Sequence, residues 1–508
     1  MRKHIILAAL AAAALFTACT DKFLSVENTG AKPLEEYFNT EEHLQEALIA
    51  AYDPLQWADY FDGYYNPYFL MADGMADQLW CGGSDKTDNQ HFHLMANYEA
   101  TPTVELISPL ISTLYSGVKR CNDVMYYMDW VPDLPADTAK SLEAQARALR
   151  CYYYSVLWKF WGNIPYYEVN LTGDFTGEQF PADEVYEKLV ADLEGIIAMN
   201  ALPMKWGGAD LGRVSQAFVY MLYAEVVLYQ NDTTRFPKAL DYMKEIIGSG
   251  QYSLNPDYGN IFKAEGEWCS ESIFEIGYKS VGGQRYWSWV NGCGGTIIPR
   301  LCSPLNWTGD SVHDSGWGFF VIRQETYDMY DPADARRDAT CWYIPEDQRD
   351  KYFHRYQDTG IFNEKWIAYT ANCDYSSDSD LHFNNNIRVF RYAETLLNAA
   401  ELVQRGAGSG DGAAWLNEVH GRSLAGQTVS FNLENIKEER RLEFVSEGKR
   451  YWDLIRWGDA ASTLVPDKYG YRTRTWSENK KYLPFPQGLI DSTKGKKYEL
   501  KQNDDYLK

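Results

Sequence analysis

The feature that most constrains this chain is a series of segments with apolar residues at helical spacing, some of them closed by a glycine signal. Leu44, Ala47, Leu48 and Ala51 recur at three- and four-residue intervals. They follow Asn39-Thr40-Glu41-Glu42, where Asn39 is placed to cap a helix and Glu42 to reach back as in a capping box. Leu106–Met128 reads as a further helix of mixed periodicity. Lys140–Phe160, rich in Ala, Leu and Tyr, stops at Gly162-Asn163-Ile164-Pro165. Glycine tolerates the turn that ends a helix, and proline cannot continue one. Asp183 is read as the cap of Val185–Ile197. Ser215–Tyr229 and Phe236–Ile247 form a helical hairpin closed by Gly248-Ser249-Gly250, and Ile387–Gln404 and Leu433–Gly448 are predicted as later helices. The chain is therefore expected to be mostly α.

Two stretches break the pattern. Residues 55–100 set Trp57, Tyr60, Phe61, Tyr64, Tyr65, Tyr68, Trp80, Phe92 and Tyr98 among Gly, Asp and Asn. Residues 251–386 combine a short β-prone piece (Ser272–Tyr278) with glycine clusters and loops holding Tyr286, Trp287, Trp289, Trp307 and Trp317. The sequence holds 38 Tyr and 17 Trp. Most are expected in the core, Trp57 and the Tyr60–Tyr68 group among them. The same residue types also bind flat apolar faces while offering a polar handle. The Ala- and Tyr-rich helix pairs look like tetratricopeptide-type repeats of irregular spacing.

The N-terminus carries Arg2, Lys3 and His4, then an apolar run from Ile5 to Phe16, then Thr17-Ala18-Cys19. This reads as a secretion signal over residues 1–18, too short to span a membrane. Its small residues look like a bacterial lipobox, with Cys19 as the lipidated N-terminus and residues 19–38 as a tether to one body, 19–508. Loss of Arg2 and Lys3 with the leader takes the net charge from −23 to −25, which repels nucleic acid and other polyanions. The other cysteines show no Cys-x-x-Cys, and His91-x-His93 is the one close histidine pair. Neither resembles a zinc site, and no cofactor is expected.

Residues 437–458, Lys-Glu-Glu-Arg-Arg-Leu-Glu-Phe-Val-Ser-Glu-Gly-Lys-Arg-Tyr-Trp-Asp-Leu-Ile-Arg-Trp-Gly, place Arg440, Glu443 and Glu447 at helical spacing on one face. Flanking arginines depress carboxylate pKa values and spoil a general acid, so this reads as a structural ion network. The segment resembles the signature of SusD/RagB-like proteins, surface lipoproteins of Bacteroidetes nutrient-uptake systems. Other stretches match the same family in order: Asp21-Lys22-Phe23-Leu24, Gly162-Asn163-Ile164-Pro165, Gly212-Arg213-Val214-Ser215, Ser249-Gly250-Gln251-Tyr252-Ser253-Leu254, Glu271-Ser272-Ile273-Phe274-Glu275, Arg391-Tyr392-Ala393-Glu394 and Tyr482-Leu483-Pro484-Phe485-Pro486-Gln487.

The resemblance implies a SusD-like fold of four tetratricopeptide-type helix pairs carrying an irregular, aromatic-rich ligand face (about 251–386). It implies a binding protein, not an enzyme, on the outer membrane and facing outward. Such a protein passes oligo- or polysaccharide to a SusC-like TonB-dependent transporter. Ligand aromatics in the family come from regions placed like 80–98 and 284–317. The expected ligand residues are therefore Trp80, Asn97, Tyr98, Tyr286, Trp287, Trp289, Arg300 and Trp307. Three alternatives stay open on sequence: a RagB-like peptide importer, a lipid-anchored glycoside hydrolase using a pair such as Asp310 and Asp314, and a repeat scaffold that binds only protein. Asp374–Asp380 is acidic enough to hold calcium, although flexible acidic surface loops are far commoner.

Overall fold

The computed structural model describes residues 32–506 apart from 62, 105–106, 173–175, 281–284, 286, 288–293 and 377. The expectations for Cys19, Tyr286 and Trp289 lie outside the described residues. Four successive pairs of neighbouring helices form the scaffold: Glu41–Tyr52 with Ser108–Met128, Ala136–Trp161 with Ala182–Met199, Gln216–Gln230 with Phe236–Gly248, and Tyr392–Gln404 with Gly412–Ser423. Each pair also packs on the next. The array is thus a short solenoid, in which no unit buries its apolar face alone.

Local chemistry accounts for the elements. Leu44, Ala47, Leu48 and Ala51 are the buried face of the first helix, but its cap is Thr40, whose side chain accepts from His43 N, and not Asn39. The long helix Ala136–Trp161 is buried along almost its whole second half, so its sequence there shows no polar face. Close approach to Ser108–Met128 needs Gly117: a Cβ there would lie 2.4 Å from the Tyr153 ring. The helix ends at Gly162, with φ of +66° and the Tyr482 ring packed where a side chain would sit.

The stretch 387–404 is not one helix. Ile387–Arg391 is a strand antiparallel to Ser272–Ile276, with Ile387 opposite Ile276, and the helix starts at Tyr392. β-branched and aromatic residues in Ile387-Arg388-Val389-Phe390-Arg391 fit a buried strand as well as a helix, and pairing with 272–276 decides the outcome. The predicted helix 433–448 likewise stops at Glu443, with Phe444 as its cap. Arg440, Glu443 and Glu447 therefore do not line one helix face.

Arg440 is paired apart from the two glutamates, which share Arg391. Arg440 holds Asp453 (2.9 Å) and approaches Glu394 (3.6 Å). Glu443 accepts from Arg336 (3.2 Å), Arg391 (3.0 Å) and Arg422. Glu447 takes Arg391 and Lys365, both at 2.7 Å. Arg391 and Arg422 also reach Glu271, and Arg336 reaches Asp334 and Glu439. All of these are buried except Arg422, whose side chain is itself 4% exposed. The network joins the strand pair, the helices Gly412–Ser423 and Leu433–Glu443, and the insertion.

A second antiparallel pair, Leu79–Gly82 with Phe319–Ile322, ties the 55–100 region to the insertion, with Trp80 opposite Val321. Beside it lies a separate small core of Trp80, Trp307, Val321, Ile344, Tyr352, Phe362 and Ile367. Trp80 is buried there under the Arg323 guanidinium, which stands 3.6 Å from its ring centre.

Burial alone would raise the carboxyl of Glu443, but the guanidiniums of Arg422, Arg391 and Arg336 outweigh it and hold the group low; Arg391 and Lys365 do the same for Glu447. A folded-state value below the unfolded one, about 4.3 for Glu, gives stabilisation that is complete above that pH and drains as pH falls. Melting measured from pH 7 to pH 3 is expected to drop steeply below about pH 4.5. Glu443→Gln should cost about 3–5 kcal/mol at pH 7 and flatten that acid limb. Trp80→Ala is expected to cost about 3–5 kcal/mol in denaturant unfolding, as for a core residue.

Candidate functional site

The chain around Asp59 and the insertion meet through a buried ion pair. Asp59, fully buried, accepts from Arg285 at 2.6 and 3.1 Å, from Thr296 Oγ1 at 2.7 Å and from Ile297 N at 3.0 Å. Arg285 also donates to the carbonyls of Tyr60 (2.8 Å) and Gly295 (2.7 Å). Two residues on, Trp287 lies over this junction, and its carbonyl accepts from the Tyr60 hydroxyl.

Trp287 stands 6.1 Å from Trp317 at 31°, a tilted pair, and Tyr65 packs on both, edge-on to Trp287 at 6.5 Å and tilted to Trp317 at 5.6 Å. Tyr60 forms the floor, edge-on to Trp287 at 5.3 Å. Tyr60 is buried, whereas Tyr65, Trp287 and Trp317 are half-buried, and Tyr64 beside them is exposed. The result is a ring platform with a supported underside. Trp317 is fixed by its own N–H, which donates to the Arg300 carbonyl at 2.8 Å. The neighbouring Gly316 admits no side chain, since a Cβ would meet Ser303 and the Arg300 carbonyl at about 2.5 Å. Tyr65 is fixed by His91. Burial lowers the His91 pKa to about 4, so the ring is neutral and its Nε2–H donates to the Tyr65 carbonyl at 3.0 Å.

Polar groups rim the rings. Arg300, buried, pairs with Asp314 (3.0 Å) and Asp380 (2.7 Å), and Tyr375 donates to Asp314 at 2.7 Å. Trp287 Nε1–H donates to Asp378. Asp88 pairs with Arg355 at 2.7 Å. Burial, with Tyr60, Asp380 and Asp88 nearby, pushes the Tyr65 hydroxyl up, so it stays a donor at neutral pH. Flat rings with a border of fixed donors and acceptors match the C–H face and hydroxyl edge of a sugar. The four rim carboxylates, Asp88, Asp314, Asp378 and Asp380, disfavour an anionic ligand.

The expected residues divide between platform and packing. Trp287 is on the platform and Arg300 on its rim. Trp80 and Trp307 are buried in the second core. Tyr98 is buried, with its hydroxyl donating to the Met75 carbonyl at 2.7 Å. Asn97 is spent on the 473–474 backbone: its Oδ1 accepts from Thr473 N (2.7 Å) and Arg474 N (3.1 Å). Reading from sequence placed Tyr60 and Tyr65 with the packing and left Trp317 out of the ligand set. The signal for Tyr65 and Trp317 was present in their aromatic, loop-borne setting, but nothing in sequence brings residues 65, 287 and 317 together.

The acidic stretch 374–380 is used locally. Asp378 takes Trp287, Asp380 takes Arg300, and Asp374 accepts from Ser376 N. Among the described residues no three His, Cys, Asp or Glu side chains gather as a metal site. A cavity of about 440 Å³ lies away from the platform, between Ser108–Met128 and residues 485–500. Its lining, Ile111, Val118, Leu171 and Leu489 with Tyr115 and Tyr167, holds no tryptophan. Size favours that cavity, but the chemistry of sugar recognition favours the platform.

Residues 22–228 match a family described as starch-binding, associating with the outer membrane, and residues 342–506 match the SusD family. Among solved structures, surface glycan-binding protein A of Bacteroides thetaiotaomicron in complex with laminarihexaose is 54% identical, with 91% of this chain and 99% of that chain covered and a TM-score of 0.87. The Bacteroides uniformis protein of the same name is 46% identical, with 92% and 100% covered and a TM-score of 0.84. SusD-like protein P38 of Formosa agariphila is 24% identical over 88% of this chain and 90% of its own. With both ends of the sequence matched and relatives above 45% identity along nearly its whole length, this chain belongs to the SusD family.

Proposed function

We propose that this protein captures a neutral, laminarin-type glucan on the Trp287–Trp317–Tyr65 platform at the cell surface. Anchored to the outer membrane through lipidated Cys19, it hands that glucan to a SusC-like TonB-dependent transporter. The observation that carries the reading is the half-buried pair of neighbouring indoles with Tyr65, rimmed by Arg300, Asp314 and Asp378. A relative of 54% identity was solved with laminarihexaose, and another SusD-like relative, 25% identical, is named as laminarin-binding.

Hydrolysis does not fit the carboxylates weighed for it. Burial would raise Asp310, but hydrogen bonds from His313 and Val312 outweigh it. Burial would raise Asp314, but Tyr375 and Arg300 outweigh it. Both are held below the usual range, so neither is a proton donor near pH 7, whereas glycosidases need one carboxyl raised. Stacking of about 0.5–1.5 kcal/mol per ring gives weak single-site binding. That suits a collector that gains from polymer multivalency and must release its cargo.

Calorimetry with laminarihexaose, alongside reducing-end analysis, is the test. Heat of binding without new reducing ends, weakened roughly three- to tenfold in a Trp317→Ala variant that remains folded, is expected. Silence toward laminarin-type glucans, or release of new ends, contradicts the reading. Cys19→Ala should move the protein from the membrane to the soluble fraction.

A further inference from the structure

A second set of rings lies across one loop from the platform. Tyr356 packs on Tyr471 at 5.4 Å, and Tyr471 lies near-parallel to Tyr469 at 5.8 Å and 22°. Tyr469 is 45% exposed, and Tyr356 and Tyr471 are half-buried. Trp80 supports the pair from beneath, edge-on at 5.0 Å to Tyr471 and 5.9 Å to Tyr469.

These rings are held as firmly as those of the platform. Asp467 accepts from Tyr469 N at 2.7 Å and Tyr471 N at 3.2 Å. Arg472 reaches the Ala96 and Met75 carbonyls, each at 3.0 Å, and Asn97 pins Thr473 and Arg474. A turn fixed at so many points loses little freedom on binding. Polar partners stand beside it: the Tyr469 hydroxyl donates to Glu325 at 3.0 Å, and Lys468 pairs with Glu325 at 2.8 Å.

The two ring sets are joined through backbone. Trp317 precedes Gly318, whose carbonyl accepts from Gly83 N at 3.0 Å, and the Gly83 carbonyl in turn accepts from Tyr356 N at 2.9 Å. Arg355, next to Tyr356, pairs with Asp88 on the intervening loop. That loop presents exposed Ser84, Asp85, Lys86 and Thr87, all able to bond hydroxyl groups. A surface that runs from indoles to a hydroxyl-rich loop and on to tyrosines repeats the chemistry of the platform and adjoins it.

We propose that Tyr356, Tyr471 and Tyr469 form a second glucan platform. A long chain bound at Trp287 and Trp317 continues across the 84–89 loop onto it. The proposal rests on the glucan-binding reading above and deepens it: the protein grips a polymer at two points and a short oligosaccharide at one. Linked contacts of this kind raise the affinity for the polymer without improving either contact.

The test compares laminarihexaose with laminarin on the wild type, on Tyr469→Ala and on Tyr356→Ala/Tyr469→Ala, with melting and sedimentation measured for each. Tyr469→Ala, at an exposed ring, is expected to melt as the wild type. Both variants should bind laminarihexaose unchanged and laminarin roughly three- to tenfold more weakly per ring removed. Unchanged laminarin affinity in the folded variants overturns the second platform alone. The same holds for an equal loss for both sugars, or for a change only in sedimentation, which would assign the rings to a second copy of the chain. Failure of the wild type to bind either sugar overturns the second platform together with the reading it rests on.

Discussion

The buried ion network around Glu443, Glu447 and Arg391 is the interaction on which the rest of the structure depends. Its members come from strand 387–391, the residue before strand 272–276, the helices Gly412–Ser423 and Leu433–Glu443, the turn after Glu443 that carries Glu447, and the insertion residues Arg336 and Lys365. Each charge removed from water costs several kcal/mol, and only multiple close partners repay that. Arg391, for example, meets three carboxylates. Such a cluster forms only when the solenoid and the insertion are both in place. It therefore couples an irregular segment of more than a hundred residues to a regular scaffold.

The candidate binding surface inherits its order from that coupling. The insertion docked by the network presents the Phe319–Ile322 strand to Leu79–Gly82, and so sets Trp317 at the edge of the 55–100 region. A second buried pair, Asp59–Arg285, then draws the loop carrying Trp287 onto Tyr60. Trp287 and Trp317 both owe their place to this packing. Both are positioned by ion pairs and backbone hydrogen bonds underneath them, which leaves their outer faces for a ligand.

Much of this was legible in sequence. The helices around Leu44, Leu149 and Phe218 followed from apolar spacing and from Gly and Ser end signals, and the ordered motifs pointed to the SusD family. The structural role of Glu443 and Glu447 followed from their arginine neighbours. Strand 387–391 was hidden because its apolar residues suit either state and its partner lies more than a hundred residues away. Of the two aromatic loop regions expected to hold the candidate site, 284–317 supplies platform rings, whereas Trp80, Asn97 and Tyr98 of 80–98 are spent on packing. Trp80 and Trp307 look like Trp287 and Trp317 in composition, and they differ in burial, which long-range packing decides. Asn97 has the residue type of a sugar ligand, yet its amide is consumed by the backbone at 473–474.

The central claim is that ligand lies on the Trp287–Trp317–Tyr65 platform. A crystal structure of the protein soaked with laminarihexaose tests it most directly. The account predicts sugar rings stacked on Trp287 and Trp317, with hydroxyls within hydrogen-bond distance of Asp314, Asp378 or Arg300. Sugar bound instead in the aliphatic cavity beside Ile111 and Leu489, with the indoles bare, would contradict it.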